Sequence, residues 1–219
     1  MSDTQLRQDV IDEFAFDPRF DGAHIGVAVD GGVVSLSGHV ESYAEKMAVI
    51  AAARRVKGVH SIAESIEIRY VPDPAHSDDQ IARRAAGILK WDSAIRPDTL
   101  DVVVHNGWVT LSGEVDWYYE RVAAEEDVRK LAGVRGVTNE ITIRPRVAET
   151  DIKSSIEAAL RRRAETEAEA IRVSVHNGNK VTLEGDVGSL NERIAVETAA
   201  WSVPGVTAVD DRLGIRRRK

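Results

Sequence analysis

Three stretches of the chain alternate apolar and polar residues with a period of two, and each alternation is interrupted once by a pair of turn residues. In the middle stretch, Val102 and Val104 alternate with Asp101 and Val103, Asn106-Gly107 follows, and Val109 and Leu111 resume the pattern before Gly113. Alternation of β-branched residues predicts half-buried strands. Asn-Gly accepts the positive φ that a tight type I′ hairpin turn requires. Gly31-Gly32 and Asn177-Gly178 hold the same place in the other two stretches. Each second strand closes on a glycine, Gly38, Gly113 or Gly185, which predicts a bulge or a close backbone approach, such as a helix crossing at that point. The third hairpin has one extra residue, placed in the turn at Asn179-Lys180.

Helical periodicity flanks every hairpin. Leu6, Val10 and Phe14 form an apolar stripe, as do Ile81, Ala85 and Leu89, and Ile152, Ile156 and Leu160. Ser2 with Gln5 and Ser77 with Gln80 predict capping boxes, and Thr150-Asp151 predicts a cap for the third stripe. After each hairpin, a second helix is expected from Ser42-x-x-Glu45 and Ser189-x-x-Glu192, whereas the middle copy has Trp117 at the serine position. Met47, Ala48, Ala52 and Val56 are expected to face inward, as are Ile194, Ala195, Ala199 and Val203. Gly58, Gly133 and Gly205 are expected to end these helices as left-handed caps. A last strand follows, as in Ile66-x-Ile68, Ile141-x-Ile143 and Leu213-x-Ile215.

The order helix, strand, strand, helix, strand therefore occurs three times. The strand glycines stand 75 and 72 residues apart, and each Gly-Val pair at 58, 133 and 205 begins 20 residues after its strand glycine. This predicts an α+β fold of three tandem domains, residues 1–71, 77–145 and 149–217, each with two helices on one face of a three-stranded sheet. Units of about 70 residues are marginal alone, so packing on one another or homo-oligomerisation is expected. The junctions at Val71–His76 and Arg144–Glu149 are short, and proline stiffens the first.

The pattern V-x-V-x-(N/D)-G-x-V-(S/T)-L-x-G-x-V, then a helix, then G-V-x-x-V, resembles the BON domain, named for bacterial osmotically inducible (OsmY-type) and nodulation proteins. Three tandem copies cover nearly the whole chain. The resemblance implies the same αββαβ fold. It also implies a non-enzymatic, stress-related interaction protein that associates with phospholipid or envelope surfaces or acts as a chaperone-like factor. The alternative it raises is a cytoplasmic sensor of a small ligand or of potassium, held by backbone carbonyls.

Composition narrows the partners. The chain has no cysteine, which excludes disulfides, thiolate metal sites and cysteine nucleophiles. Net charge is −7 and lies in the first two repeats, which argues against a generic nucleic-acid binder. The same balance disfavours strong attraction to anionic lipid, except locally at the basic stretch Arg216-Arg217-Arg218-Lys219, itself read as a loose end. No apolar run approaches a membrane span, and the N-terminus has no charged-then-apolar leader. A cytoplasmic location is expected, or a periplasmic one if the N-terminus has been trimmed.

No catalytic, cofactor or metal residues are assigned. His105 and His176 recur before the hairpin turns but suit turns on their own, and no nucleophile–base pair or phosphate-binding loop occurs. Asp210-Asp211 and Glu125-Glu126-Asp127 read as solvated faces. The repeat-specific residues are aromatic. Trp91, Trp108, Trp117, Tyr118 and Tyr119 gather in the middle repeat, and we expect Trp108 and the Trp117–Tyr119 run to share one end of the unit as a candidate binding surface. Trp201, where the other repeats have Arg54 and Arg129, reads as a local packing choice.

Overall fold

In the computed structural model, the Ser2 hydroxyl accepts the Gln5 amide at 3.2 Å and opens α1 (Asp3–Phe16), whose buried stripe is Leu6, Val10 and Phe14. A short 3₁₀ turn at Gly22–His24 leads to β1 (Ile25–Asp30). Gly31 and Gly32, at φ +56° and +82°, turn the chain into β2 (Val33–Val40). Then come α2 (Tyr43–Arg55) and β3 (Ser61–Ile68). β2 is central, antiparallel to β1 and parallel to β3. Parallel neighbours need a crossover, and α2 supplies it.

The second repeat has the same order: α3 (Asp78–Trp91), β4 (Leu100–His105), β5 (Trp108–Val115), α4 (Tyr118–Val128) and an outer strand in two pieces, β6 (Gly136–Asn139) and β7 (Thr142–Ile143). The third runs α5 (Ile152–Arg162), β8 (Ile171–His176), β9 (Lys180–Val187), α6 (Leu190–Trp201) and β10 (Ala208–Ile215). The structure describes residues 2–69, 77–96, 99–144, 152–162, 171–176 and 179–216. Both junctions, the Asn177-Gly178 turn, the Thr150-Asp151 cap and the tail from Arg217 lie outside the described residues. The chain divides into two compact units: Met1–Val115 with Tyr119–Thr142, and Asp116–Tyr118 with Ile143–Lys219.

The core follows the apolar pattern. All three first-helix stripes are buried, against Val34 and Leu36, Val109 and Leu111, and Val181 and Leu183 of the central strands. The second-helix stripe differs from expectation. Ala48, Val49, Ala52 and Ala53 are buried in α2, and Val196, Ala199 and Ala200 in α6. Met47 is only half-buried and Ile194 is 39% exposed. The small alanines let the helix lie close on the sheet, which rotates Met47 and Ile194 toward the edge of the contact.

Three local expectations are corrected. The Ser77 side chain makes no capping hydrogen bond, although Ser77 is the N-cap of α3. Instead the Asp78 carboxylate, in the first turn, accepts the Asn106 and Gly107 amides at 2.7 and 2.8 Å and holds the hairpin tip. Asp3 does the same for Gly31 at 3.0 Å. Second, Gly58, Gly133 and Gly205 are not helix caps. Each is the third residue of a turn closed by Val59, Val134 or Val206 donating back to Val56, Leu131 or Val203, and φ is +91° to +99°. Positive φ there is the type II requirement, and Pro204 before Gly205 fits it. Third, the close backbone approach expected at the strand glycines is present at Gly38 and Gly113, but its source is not a helix. Gly38 and Gly113 have φ +120° and +122°, and a Cβ on them would lie 2.0 Å from the His24 carbonyl oxygen and 2.3 Å from that of Thr99. The close approach is made by the residue entering the neighbouring strand.

One polar device occurs in all three repeats. Glu64, Asn139 and Asp211 stand at one position of the outer strand, and each side-chain oxygen accepts the amide two residues on, at Ile66, Ile141 and Leu213. Each also meets a basic residue in the second helix. Lys46 pairs with Glu64 at 2.8 Å and Arg193 with Asp211 at 2.7 Å, while Arg121 and Asn139 exchange side-chain-to-carbonyl bonds. The device bends the outer strand so that Ile66, Ile141 and Leu213 are buried. Asp211 is therefore a structural anchor and not part of a solvated face.

Candidate interaction surface

The aromatic residues of the second repeat divide into two groups. Trp108 opens β5 directly after the hairpin tip, which Asp78 ties to the start of α3. Trp91 ends α3, and Trp117, Tyr118 and Tyr119 follow the far end of β5. An eight-residue strand spans about 23 Å. Trp108 and the Trp117–Tyr119 run are thus at opposite ends, and the shared end expected from the sequence is corrected. Strand β5 itself separates them.

Trp108 is 51% exposed, but it is also structural. Its indole N–H donates to the Thr138 hydroxyl at 2.8 Å. Its ring covers Gly136, where a Cβ would lie 2.5 Å from the ring. Trp117 and Tyr118 are half-buried. Within the second compact unit, the Tyr118 ring stacks on Trp201 with centroids 4.8 Å apart and planes 7° apart. The Trp201 indole N–H reaches the Glu197 carboxylate at 3.4 Å. Trp201 is therefore more than a local packing choice, because it receives a ring from a distant part of the sequence.

This leaves Trp91 and Tyr119, 88% and 57% exposed, as the uncovered members of the candidate set. Phe16 was missed by sequence reasoning. It is 84% exposed at the end of α1, 75 residues before Trp91, the spacing of the strand glycines. The repeat offset could have found it. Arg162 ends the third first-helix, so the exposed aromatic end is a property of repeats one and two.

Charge around these elements is unevenly screened. Hydrogen bonding from Arg19, helped by Arg55, holds the Asp17 carboxyl well below the usual carboxylate range despite its burial. In the second repeat, burial and then the neighbouring Asp92 push the Asp127 carboxyl up. Glu125 accepts the Asn139 amide at 3.0 Å. Glu125 and Asp127 are thus engaged in packing, contrary to the expectation of a solvated acidic face. Burial raises the Tyr43 phenol, Glu125 adds to this, and a backbone hydrogen bond from Val137 opposes it.

Among the described residues no group of acidic or histidine side chains could hold a metal ion, and no helix is long and apolar enough to cross a membrane. His24 and His39 stack at 4.8 Å, and the His105 ring nitrogen lies 3.2 Å from the Asn106 amide.

The structure is thus one of small αββαβ modules that present repeat-specific side chains on a shared frame. The BON domain family model matches residues 2–70, 77–145 and 148–217, and the chain belongs to that family. It is 30% identical over 126 residues to osmotically-inducible protein Y of Escherichia coli strain K12, an alignment covering 53% of this chain and 60% of that protein. The chain therefore spans less than two thirds of the curated relative it matches. Among solved structures, CdsD of the type III secretion system of Chlamydia trachomatis aligns over 98% of this chain and 94% of that one, with 14% identity and a TM-score of 0.28. The PrgH periplasmic domain aligns over 90% and 97%, with 14% identity and a TM-score of 0.23. With scores this low, neither structure bears on the fold or function of this chain.

Proposed function

We propose that this stress-related BON protein is a non-enzymatic, cytoplasmic binding protein that associates reversibly with a phospholipid interface through the aromatic helix ends of its first two repeats. The supporting observation is the pair Phe16 and Trp91, 84% and 88% exposed at equivalent positions. A single exposed aromatic is ordinary. Two at the same place in two repeats, each closing an amphipathic helix, suit a half-wet boundary in which rings enter the headgroup layer. Lys90 and Asp92 flank Trp91 in sequence, so the charge beside the ring is balanced within an acidic chain. Kinship with osmotically-inducible protein Y agrees with a stress role.

Flotation tests this with phosphatidylcholine vesicles and with vesicles that also contain phosphatidylglycerol, at low and moderate salt. The parent chain is expected to float with the mixed vesicles with a blue-shifted tryptophan emission. Phe16→Ala with Trp91→Ala should abolish both. If neither vesicle carries the protein upward, the lipid reading fails. A potassium-selective thermal shift would then favour the ion-sensor alternative.

A further inference from the structure

Tyr43, Tyr118 and Leu190 occupy one position, each five residues after its strand glycine. The Tyr43 phenol takes a backbone hydrogen bond from Val137 of the following repeat, within range of the charges of Glu125 and Arg129 there and of Glu64 in its own repeat. Tyr118 lies against Trp201, which occupies the Arg129 position and bonds Glu197 at the Glu125 position. One knob thus meets the same patch twice, a patch made by the second helix and outer strand of the next repeat. The contact is heterologous, since knob and patch are different surfaces, so each repeat can pass it on to the next. The first repeat has Ile50, Arg54 and Ile62 at the patch positions, of which Ile50 is buried within the chain, and the third has Leu190 at the knob position. Exposure differs at two places. Arg129 and Trp201 are half-buried, while Arg54 is exposed. Met47 and Val122, one turn beyond the two tyrosines, are half-buried, while Ile194, one turn beyond Leu190, is 39% exposed.

We infer that a second copy of this chain docks its first-repeat patch on Leu190 and Ile194, continuing the internal contact head to tail. Leucine has no ring to stack and no hydroxyl to take the outward amide that Val137 offers Tyr43. The junction between copies is therefore weaker than those within the chain, and the assembly is reversible and concentration-dependent.

Sedimentation velocity of the 219-residue chain, from roughly 1 µM to 1 mM, tests this. The average mass should rise with concentration and pass that of a dimer. Leu190→Tyr should tighten association about tenfold, the scale of one aromatic pair. Leu190→Arg on the knob and Arg54→Asp on the patch, which removes the aliphatic stem, should each give monomers with unchanged circular dichroism. Mixed together they should form dimers and nothing larger, because one intact knob and one intact patch remain. Monomers throughout, including Leu190→Tyr, would overturn the inference. So would association that stops at a dimer in the parent or survives Leu190→Arg.

Discussion

Gly113→Ala and Gly87→Ala are the same chemical change with opposite expected effects. Gly87 lies within α3, and a Cβ there has nothing within 4 Å. Alanine restores helix propensity and restricts the unfolded chain, so it should stabilise by about 0.5–1 kcal/mol. Gly113 has φ +122°, a region that L residues rarely enter, at a cost of about 1–3 kcal/mol. The added Cβ would also stand 2.3 Å from the Thr99 carbonyl oxygen, a backbone atom fixed by the pairing of Leu100 with Gly113. Moving that strand entry resembles overpacking, at about 1–3 kcal/mol more. The expected loss, about 2–6 kcal/mol, is a large fraction of what a small domain has. Urea unfolding followed by tryptophan fluorescence suits the comparison, because three of the four tryptophans lie in this repeat. A loss under about 1 kcal/mol at Gly113 would mean that the strand entry yields easily, and the close-approach argument would fail. A loss at Gly87 would mean that its surroundings are less open than the geometry shows.

Two carboxyls give pH predictions of opposite sign. The folded pKa of Asp17 is depressed, first by Arg19 and then by Arg55, so its contribution is complete above the unfolded value of about 4 and lost as pH falls below it. Asp17→Asn should lower the urea midpoint at pH 7 and flatten its decline toward pH 2.5; an unchanged acid limb would contradict the assignment. The folded pKa of Asp127 is raised by burial and by Asp92, so its charged form is disfavoured in the fold and stability falls as pH rises through that value. Asp127→Asn should stabilise the second repeat at neutral pH by under about 1 kcal/mol, and no gain on passing from pH 4 to 7 would count against the reading.

The fold was legible because its signals are local and repeated. Alternation, Asn-Gly turns and the 75- and 72-residue spacings locate the strands, hairpins and first-helix stripes without tertiary information. What escaped were partners set by the fold. Asp3 and Asp78 read as ordinary first-turn acids, yet they hold hairpin tips 28 and 29 residues away. Asp211 looked solvated beside Asp210, and only the packing of α6 brings Arg193 to it. The two ends of β5 were confused because adjacency in sequence says nothing of which end of a strand a side chain occupies. The glycines at 58, 133 and 205 were placed by helix logic, although Pro204-Gly205 carried a turn signature. Phe16 was passed over because it lies two residues beyond the Val10–Phe14 spacing, and single-helix periodicity assigns such residues to solvent without comment.

Comparing the repeats separates what builds the frame from what distinguishes its users. The strand faces turned away from the buried stripes differ sharply. In the first repeat the paired residues are small: Ala28 with Ser35, and Ser35 with Ala63. In the second, Val103 is 62% exposed opposite Thr110, with half-exposed Trp108 nearby. In the third, Arg172, Glu184, Arg212 and Asp210 form a ladder of contacts from 2.7 to 4.0 Å. Exposed pairs of this kind add little stability, so the ladder is not needed to hold the sheet. The frame tolerates small, aromatic and charged faces alike, because Val34 and Leu36, Val109 and Leu111, and Val181 and Leu183 bury the opposite side in every case. The three repeats thus share the strand glycines and outer-strand anchors and differ in the chemistry of the sheet face that this frame presents.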